Sequence, residues 1–265
     1  MKIISYSGGK DSTALLLWAI ENGMEFTAVY CDTGWESPVT YEYISMINER
    51  LLGGKLVTVK NRKYDGFYDL SIKKKRVAST MARFCTEELK LKPMREFIQE
   101  QGKFVFLYLG IRAEESPARA RLVRNVYDND FYKCTIKRPL LKWSIQEVID
   151  IHKRHEIPFN PMYTKGYRRV GCFPCVMARH DEIRNIIRQH PERVEVIRQL
   201  ERDLGRSFFP PDYIPEKYCT GRDPKSGKKF PWVDDVVKYL HDPNQSGLFE
   251  EPEVDSCFSY YKICE

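Results

Sequence analysis

Apolar positions in the first half of the chain fall in short continuous runs. Between them lie longer stretches where apolar and polar residues recur at helical spacing. Residues 1–6, 26–31, 55–60 and 104–110 are β-prone and mostly apolar, and residues 12–22, 40–52 and 86–101 read as helices. Continuous apolar strands leave no face for water. The alternation therefore predicts an α/β fold, a doubly wound parallel sheet with helices on both faces. In such sheets ligands sit at the carboxyl ends of the strands.

The pattern changes after Pro139. Residues 143–155 predict one amphipathic helix, started by Ser144 with Glu147 three positions on as a capping box and stopped by Pro158 and Pro161. Residues 181–204 are helical and highly charged, with a break expected at Pro191. Residues 208–231, rich in Pro, Gly and aromatics, read as a surface loop, and Val233–His241 as a short helix. Residues 249–265 form an acidic tail that ends with Cys257 and Cys264.

Composition narrows the class. The chain has 265 residues, 42% hydrophobic and 30% charged, which predicts a packed core and excludes disorder. The longest apolar runs, such as 13–20 and 104–109, are too short to span a bilayer, so no membrane partner is expected. The first residues already read as a strand, which predicts no signal peptide and a cytoplasmic location. Eight cysteines in a reducing compartment then point to metal or catalysis rather than disulfides. A net charge of +6 suits anionic nucleotides and is compatible with nucleic acid, though a solvated basic face gives the same excess.

The richest segment for chemistry is Ser7-Gly8-Gly9-Lys10-Asp11-Ser12, between the first strand and the first helix. Two glycines let the backbone approach a ligand, and the N–H groups and dipole at the helix start favour a phosphate. The spacing is neither that of the Walker loop nor that of the dinucleotide fingerprint. Asp32, at the end of the second strand, can hold a ribose hydroxyl or a magnesium ion, or can simply make a turn with Gly34. Gly110 and Arg112, with Arg119, follow the fourth strand and suggest anion recognition, since the guanidinium fork donates two parallel bonds. Cys85 stands at a helix start beside Lys90, Lys92 and Arg95, where a thiol becomes a better ligand or nucleophile. Cys172 and Cys175 have Cys-x-x-Cys spacing, which fits zinc, an iron–sulfur cluster or a redox dithiol. Cys257 and Cys264 can add ligands, whereas Cys31, Cys134 and Cys219 read as packed thiols.

The glycine loop resembles that of the ATP pyrophosphatases. The chain as a whole resembles the phosphoadenosine phosphosulfate and adenylyl-sulfate reductase family within that adenine nucleotide alpha hydrolase-like superfamily. The matching pieces occur in order over residues 1–180. They are Ser7–Ser12, Asp32-Thr33-Gly34 with Pro38-x-Thr40-Tyr41, Cys85 with Lys90 and Pro93, and Gly110-Ile111-Arg112 with Glu115-Ser116 and Arg119. Pro139-Leu140-Leu141-x-Trp143, Pro161-Met162-Tyr163 and Gly166-Tyr167-x-x-x-Gly171 complete the set.

The resemblance implies a nucleotide-binding domain over 1–180 and a helical and loop extension over 181–265 that contributes cysteines. It implies a nucleotide held by Ser7, Gly8, Gly9, Lys10, Asp11, Ser12, Asp32, Gly110 and Arg112, with Arg112 and Arg119 facing a sulfate or phosphate. It makes Cys85, Cys172, Cys175 and Cys257 candidate metal ligands and Cys264 a candidate redox nucleophile. The chain departs from the reductases in three ways. Lys10 and Asp11 are intact, as in the members that consume ATP. Thr86 stands where a second adjacent cysteine would be. The segment after Arg179 is longer and unlike the reductase tail.

An ammonium at Lys10 can neutralise phosphate charge during adenylyl transfer, with magnesium assisting. The expected function is therefore ATP-dependent adenylyl transfer to an acceptor, with Lys10, Asp11 and Cys264 catalytic, coupled to sulfur transfer. The expected cofactors are ATP, Mg2+ and an iron–sulfur cluster, with zinc as the alternative. The expected partners are a nucleotide, a sulfur donor protein or thioredoxin-like reductant, and nucleic acid as one acceptor class. The alternatives are a thiol-dependent reductase that releases sulfite and a nucleotide sensor without turnover.

Overall fold

A computed structural model describes residues 1–79, 81–102 and 104–242. Strands β1 (Lys2–Tyr6), β2 (Thr27–Cys31), β3 (Val57–Val59), β4 (Phe106–Leu109), β5 (Asn125–Asp128) and β6 (Cys134–Lys137) form one sheet. Their order is β3-β2-β1-β4-β6-β5, parallel throughout except for β5, which runs antiparallel to β6 at one edge. From β1 the chain moves to β2 on one side, and β4 returns on the other. The loop after β1 therefore lies at the switch point where open α/β sheets bind ligands.

Helix α1 (Lys10–Glu21) follows that loop, with Leu15, Leu16 and Leu17 fully buried. Each such leucine contributes about 1.5–3 kcal/mol of apolar burial, which anchors the loop that the helix carries. Helices α2 (Pro38–Leu52) and α3 (Phe67–Lys74) follow β2 and β3. Next come α4 (Phe84–Thr86), a π turn over Glu87–Leu91 and α5 (Lys92–Glu100), then the single turn α6 (Pro117–Ala120). Helix α7 (Ile145–Arg154) opens with the expected capping box, in which Ser144 Oγ accepts from the Glu147 N–H at 3.2 Å and the Ser144 N–H donates to Glu147 at 2.7 Å. The break at Pro191 is present, between α8 (His180–Gln189) and α9 (Pro191–Leu204). The short strands β7 (Gly221–Arg222) and β8 (Lys229–Phe230) pair in a hairpin before α10 (Val233–His241).

Two sequence expectations need correction. Strands β5 and β6 and helix α3 lie outside the predicted elements, because each is short. In addition, β5 is exposed along most of its length and has no apolar run. The predicted surface loop at 208–231 is in part core: Phe208, Phe209, Ile214 and Cys219 are buried. Phe208 packs against Trp35 and Phe67, with ring centroids 6.4 and 6.2 Å apart. The aromatic residues that marked the segment as irregular are the ones that bury it. One hydrophobic cluster thus joins Trp35, Phe67 and Leu89 to Ile183, Ile197, Phe208 and Val236. Among the described residues no helix is long and apolar enough to cross a membrane.

Candidate active site

The loop Ser7–Ser12 is built by its own polar groups. Ser12 Oγ donates to the Gly9 carbonyl at 2.9 Å and accepts from the Ser7 N–H at 3.3 Å, which folds the loop back on the first turn of α1. Gly8 has φ +74°, a left-handed value, and a side chain there would press on Ile44 and Thr40. The segment after α7 holds the loop from outside. Asn160 Nδ2 donates to the Gly8 carbonyl at 3.1 Å, and the Lys10 N–H donates to the Tyr163 hydroxyl at 3.3 Å. His152 Nε2 lies 2.9 Å from the Lys10 carbonyl while Nδ1 faces the Ile157 carbonyl at 3.0 Å.

The ionic groups of the loop form a buried chain. Lys10 Nζ is 2.8 Å from Asp11 Oδ2, and Arg112 Nε is 2.6 Å from Asp11 Oδ1. Arg112, 4% exposed, also reaches Glu114 at 2.8 Å and the Trp143 carbonyl at 3.3 Å. Burial alone would raise the Asp11 carboxyl, but the Lys10 and Arg112 cations outweigh it and hold the group below the usual carboxylate range. Burial also opposes the Lys10 ammonium. Tyr163 and Asp11 more than offset this, and Lys10 stays charged above its ordinary value. Gly110 explains how Arg112 gets there: a Cβ at this position would lie 2.7 Å from the Asp11 carbonyl oxygen. The end of β4 meets the loop backbone to backbone.

Asp32 lies at the carboxyl end of β2, on the other side of β1. Its carboxylate accepts from the Gly34 N–H at 2.9 Å, pairs with Lys60 at 3.0 Å, and shares with Glu36 the single proton of the Tyr41 hydroxyl, 2.8 Å away. Burial opposes the charge, and these partners hold its pKa below the ordinary value. Glu36, buried beside it, accepts from Thr33 Oγ1 at 2.7 Å and faces the same Tyr41 hydroxyl at 3.0 Å. Arg119 is linked to the buried ionic chain through Glu115, which also accepts from the Arg112 N–H at 2.8 Å. It is 38% exposed and pairs with Glu115 one helical turn away.

Cys85, far in sequence from the Cys172–Cys175 pair, lines with it one cavity of about 120 Å³ together with Thr33, Thr86, Lys90 and Glu182. Lys90 stays protonated, raised first by Cys172 and then by Glu36 and Cys175, against burial. Burial pushes the Cys172 thiol up while Lys90 pulls it down. Cys85 is likewise raised by burial. Glu182, also in the lining, is raised by burial. Cys31 donates to the Lys90 carbonyl at 3.3 Å, and Cys134 and Cys219 are packed. Among the described residues no group of three or more His, Cys, Asp or Glu side chains is arranged to hold a metal ion. Cys257 and Cys264 lie outside the described residues.

The structure thus brings Ser7–Ser12, Asp32, Gly110 and Arg112 to one end of the sheet, and Cys85, Cys172 and Cys175 to one cavity. Sequence reasoning assigned no role to His152, Asn160 or Glu36. Glu36 carries a readable signal, an acid just after a strand end. The other two act through contacts that no local pattern encodes.

Comparison with known proteins bears on this arrangement. The family model of the phosphoadenosine phosphosulfate reductase domain matches residues 2–178. A 37.8 kDa protein of Escherichia phage 186 is 33% identical over 273 residues, covering 82% of this chain and 81% of its own. An adenosine 5'-phosphosulfate reductase of Allochromatium vinosum is 36% identical over 117 residues, covering 43% of this chain and 40% of its own. The crystal structure of phosphoadenylyl-sulfate reductase from Candida auris matches with a TM-score of 0.52 at 18% identity, over 65% of this chain and 81% of that one, and so shows the same fold. With the family model spanning sheet, glycine loop and Cys-x-x-Cys segment, the chain belongs to the phosphoadenosine phosphosulfate reductase family.

Proposed function

We propose that this protein binds ATP at the Ser7–Ser12 loop, activates an acceptor by adenylyl transfer with loss of pyrophosphate, and displaces AMP with sulfane sulfur that a persulfide-bearing donor protein delivers to a thiol of the adjoining cavity, a second thiol there releasing the sulfurated acceptor as a disulfide forms. The observation that carries the reading is the buried Lys10–Asp11–Arg112 chain. Two cations held by one carboxylate at a phosphate-binding turn give a fixed positive field where charge develops on a departing pyrophosphate. Lys10 faces the phosphates, Asp11 fixes both cations, and Asp32 and Gly110 flank the nucleotide. When bound, magnesium supplies further charge neutralisation on the phosphates. Lys90 pulls Cys172 toward thiolate against the burial that raises it.

The three cavity thiols act here as thiols. An iron–sulfur cluster or zinc at this place needs a ligand beyond them, for which Cys257 is the candidate. Assay of iron, sulfide and zinc in anaerobically purified protein separates cluster, zinc and bare thiols. The net charge of +6 supports nucleic acid as one acceptor class to be tried. The function is tested by incubating α-labelled ATP and magnesium with candidate acceptors. Formation of AMP and pyrophosphate supports the reading, and its absence with every acceptor overturns it.

The second reading, a thiol-dependent reductase acting on adenylyl sulfate or its 3'-phosphate with a thioredoxin-like donor, is favoured by the similarity to an adenosine 5'-phosphosulfate reductase. Under it, Cys264→Ser abolishes sulfite release. Under the first reading, ATP cleavage survives that change.

A further inference from the structure

Two segments that carry chemistry touch each other away from the glycine loop. One is the turn after β2, which holds Asp32 and Glu36. The other is the Cys172–Cys175 segment. Glu36 and Cys172 form an isolated antiparallel bridge, and the Phe173 N–H donates to the Trp35 carbonyl at 2.7 Å. Trp35, 2% exposed, donates its indole N–H to the Pro174 carbonyl at 3.0 Å.

A third element crosses this seam. Arg193, in the first turn of α9, donates through Nε to the Phe173 carbonyl and through Nη2 to the Trp35 carbonyl at 3.4 Å. Its guanidinium carbon lies 3.7 Å from the centroid of the Trp35 ring. One planar group thus joins both strands of the seam and covers the tryptophan. A guanidinium can do this because its donors fork in a plane that also stacks, whereas an ammonium cannot stack in the same way.

The location is costly for a cation. Burial draws Arg193 down to about 10, and the groups that face it are Tyr41, Glu36, Cys172 and Glu192. A methionine would fill similar space without that cost. The bonds to two carbonyls on different segments are what the arginine adds.

We propose that Arg193 is a positioning residue: it clamps the Cys172–Cys175 thiol segment onto the turn that carries Asp32 and Glu36, and so links nucleotide occupancy to thiol reactivity. The link to nucleotide rests on the proposed function; the clamp does not. The helical extension after residue 180 then has a direct part in the chemistry, since α9 supplies the group that sets the thiols against the nucleotide side.

The test compares the full-length protein with Arg193→Met, which keeps bulk, and Arg193→Lys, which keeps charge and a donor. The rate of Cys172 and Cys175 alkylation by iodoacetamide is read by peptide mass spectrometry, with and without ATP and magnesium. ATP affinity is measured in parallel by calorimetry. Loss of charge-assisted bonds on both segments should speed Cys172 alkylation about ten-fold or more in Arg193→Met, with Arg193→Lys, which keeps the charge and a donor but not the stacked fork, recovering only part of the difference. ATP should alter the wild-type rate and leave that of Arg193→Met unchanged, at an ATP affinity within about two-fold of wild type.

Wild-type alkylation in Arg193→Met overturns the clamp, as does equal behaviour of the Met and Lys variants. A surviving ATP effect in Arg193→Met overturns the link, as does wild-type protein that binds ATP without changing its rate. If Arg193→Met does not fold, Trp35→Phe decides: it loses the Pro174 bond and much of the face on which Arg193 stacks, and an alkylation rate not raised by about three-fold or more overturns the clamp. If wild-type protein does not bind ATP, the proposed function fails, and the clamp is still judged on the nucleotide-free rates.

Discussion

The glycine loop and the thiol cavity are made in opposite ways. The loop is six consecutive residues whose serines bond to their own backbone, and its charges are satisfied within reach of one carboxylate. The cavity takes its walls from the ends of β2, α4, the π turn and the Cys-x-x-Cys segment, and one lysine serves two thiols. A site whose framework lies in one segment gains rigidity from local bonds, to which Arg112, Asn160 and Tyr163 add braces from elsewhere. A site assembled from distant segments depends on the packing around it. The first is therefore broken by changing a charge, and the second by changing a contact.

The largest effect expected follows from the first half of that contrast. Lys10→Met should lower AMP and pyrophosphate formation by about 10²–10³-fold, since it removes a fixed charge aimed at the phosphates. Iodoacetamide alkylation of Cys172 without nucleotide should stay at the wild-type rate. A parallel change in both would show the two regions to be one unit.

Asp11→Asn should cost about 3–5 kcal/mol of stability in urea unfolding, because Lys10 and Arg112 stay buried without their shared counter-charge. Stability near that of wild type would mean that Glu114 alone satisfies Arg112.

A third test addresses the packing on which the cavity depends. Glu201, 3% exposed on α9, accepts from the Phe208 N–H and the Val233 N–H, each at 2.8 Å, and so ties the extension together. Burial raises its folded-state pKa to about 7. The raised value means that the stability it confers is full below the ordinary glutamate range, and is lost as pH rises through about 7. The loss amounts to roughly 3 kcal/mol between pH 4.5 and 7.5. Glu201→Gln should flatten that slope in thermal melts taken across the same range, and an unchanged slope would reassign it to other groups.

The smallest effect belongs to Arg119. Because it is half-open to solvent and paired with Glu115, Arg119→Ala should change ATP cleavage by less than about three-fold. A loss comparable to that of Lys10→Met would restore it to the anion-binding role that its spacing suggests.

The same contrast explains what could be read from the amino-acid sequence. Strand, glycines and helix start are contiguous between Lys2 and Glu21, so the loop and its place at the carboxyl end of the strands were legible, as were the Ser144 cap and the break at Pro191. The anion-binding reading of Arg112 missed its partners, because Asp11 lies 101 positions away. The burial of Phe208 and Phe209 was hidden because irregular backbone has no period, and only the facing Trp35 and Phe67 give those rings a place. Arg193 was indistinguishable from the other charges of its helix.

Chain order also has a meaning for synthesis. The strands that frame the glycine loop end at Leu109, its outer braces come with His152, Asn160 and Tyr163, and the arginine over the seam follows only at residue 193. Segments near the N-terminus leave the ribosome first and begin to fold there. A nascent chain thus completes its phosphate cradle before its thiols are sequestered, and a chain that has emerged from the ribosome only as far as residue 180 presents Cys172 and Cys175 without their cover. Translational arrest in that window would expose reactive sulfur on an otherwise folded nucleotide-binding sheet.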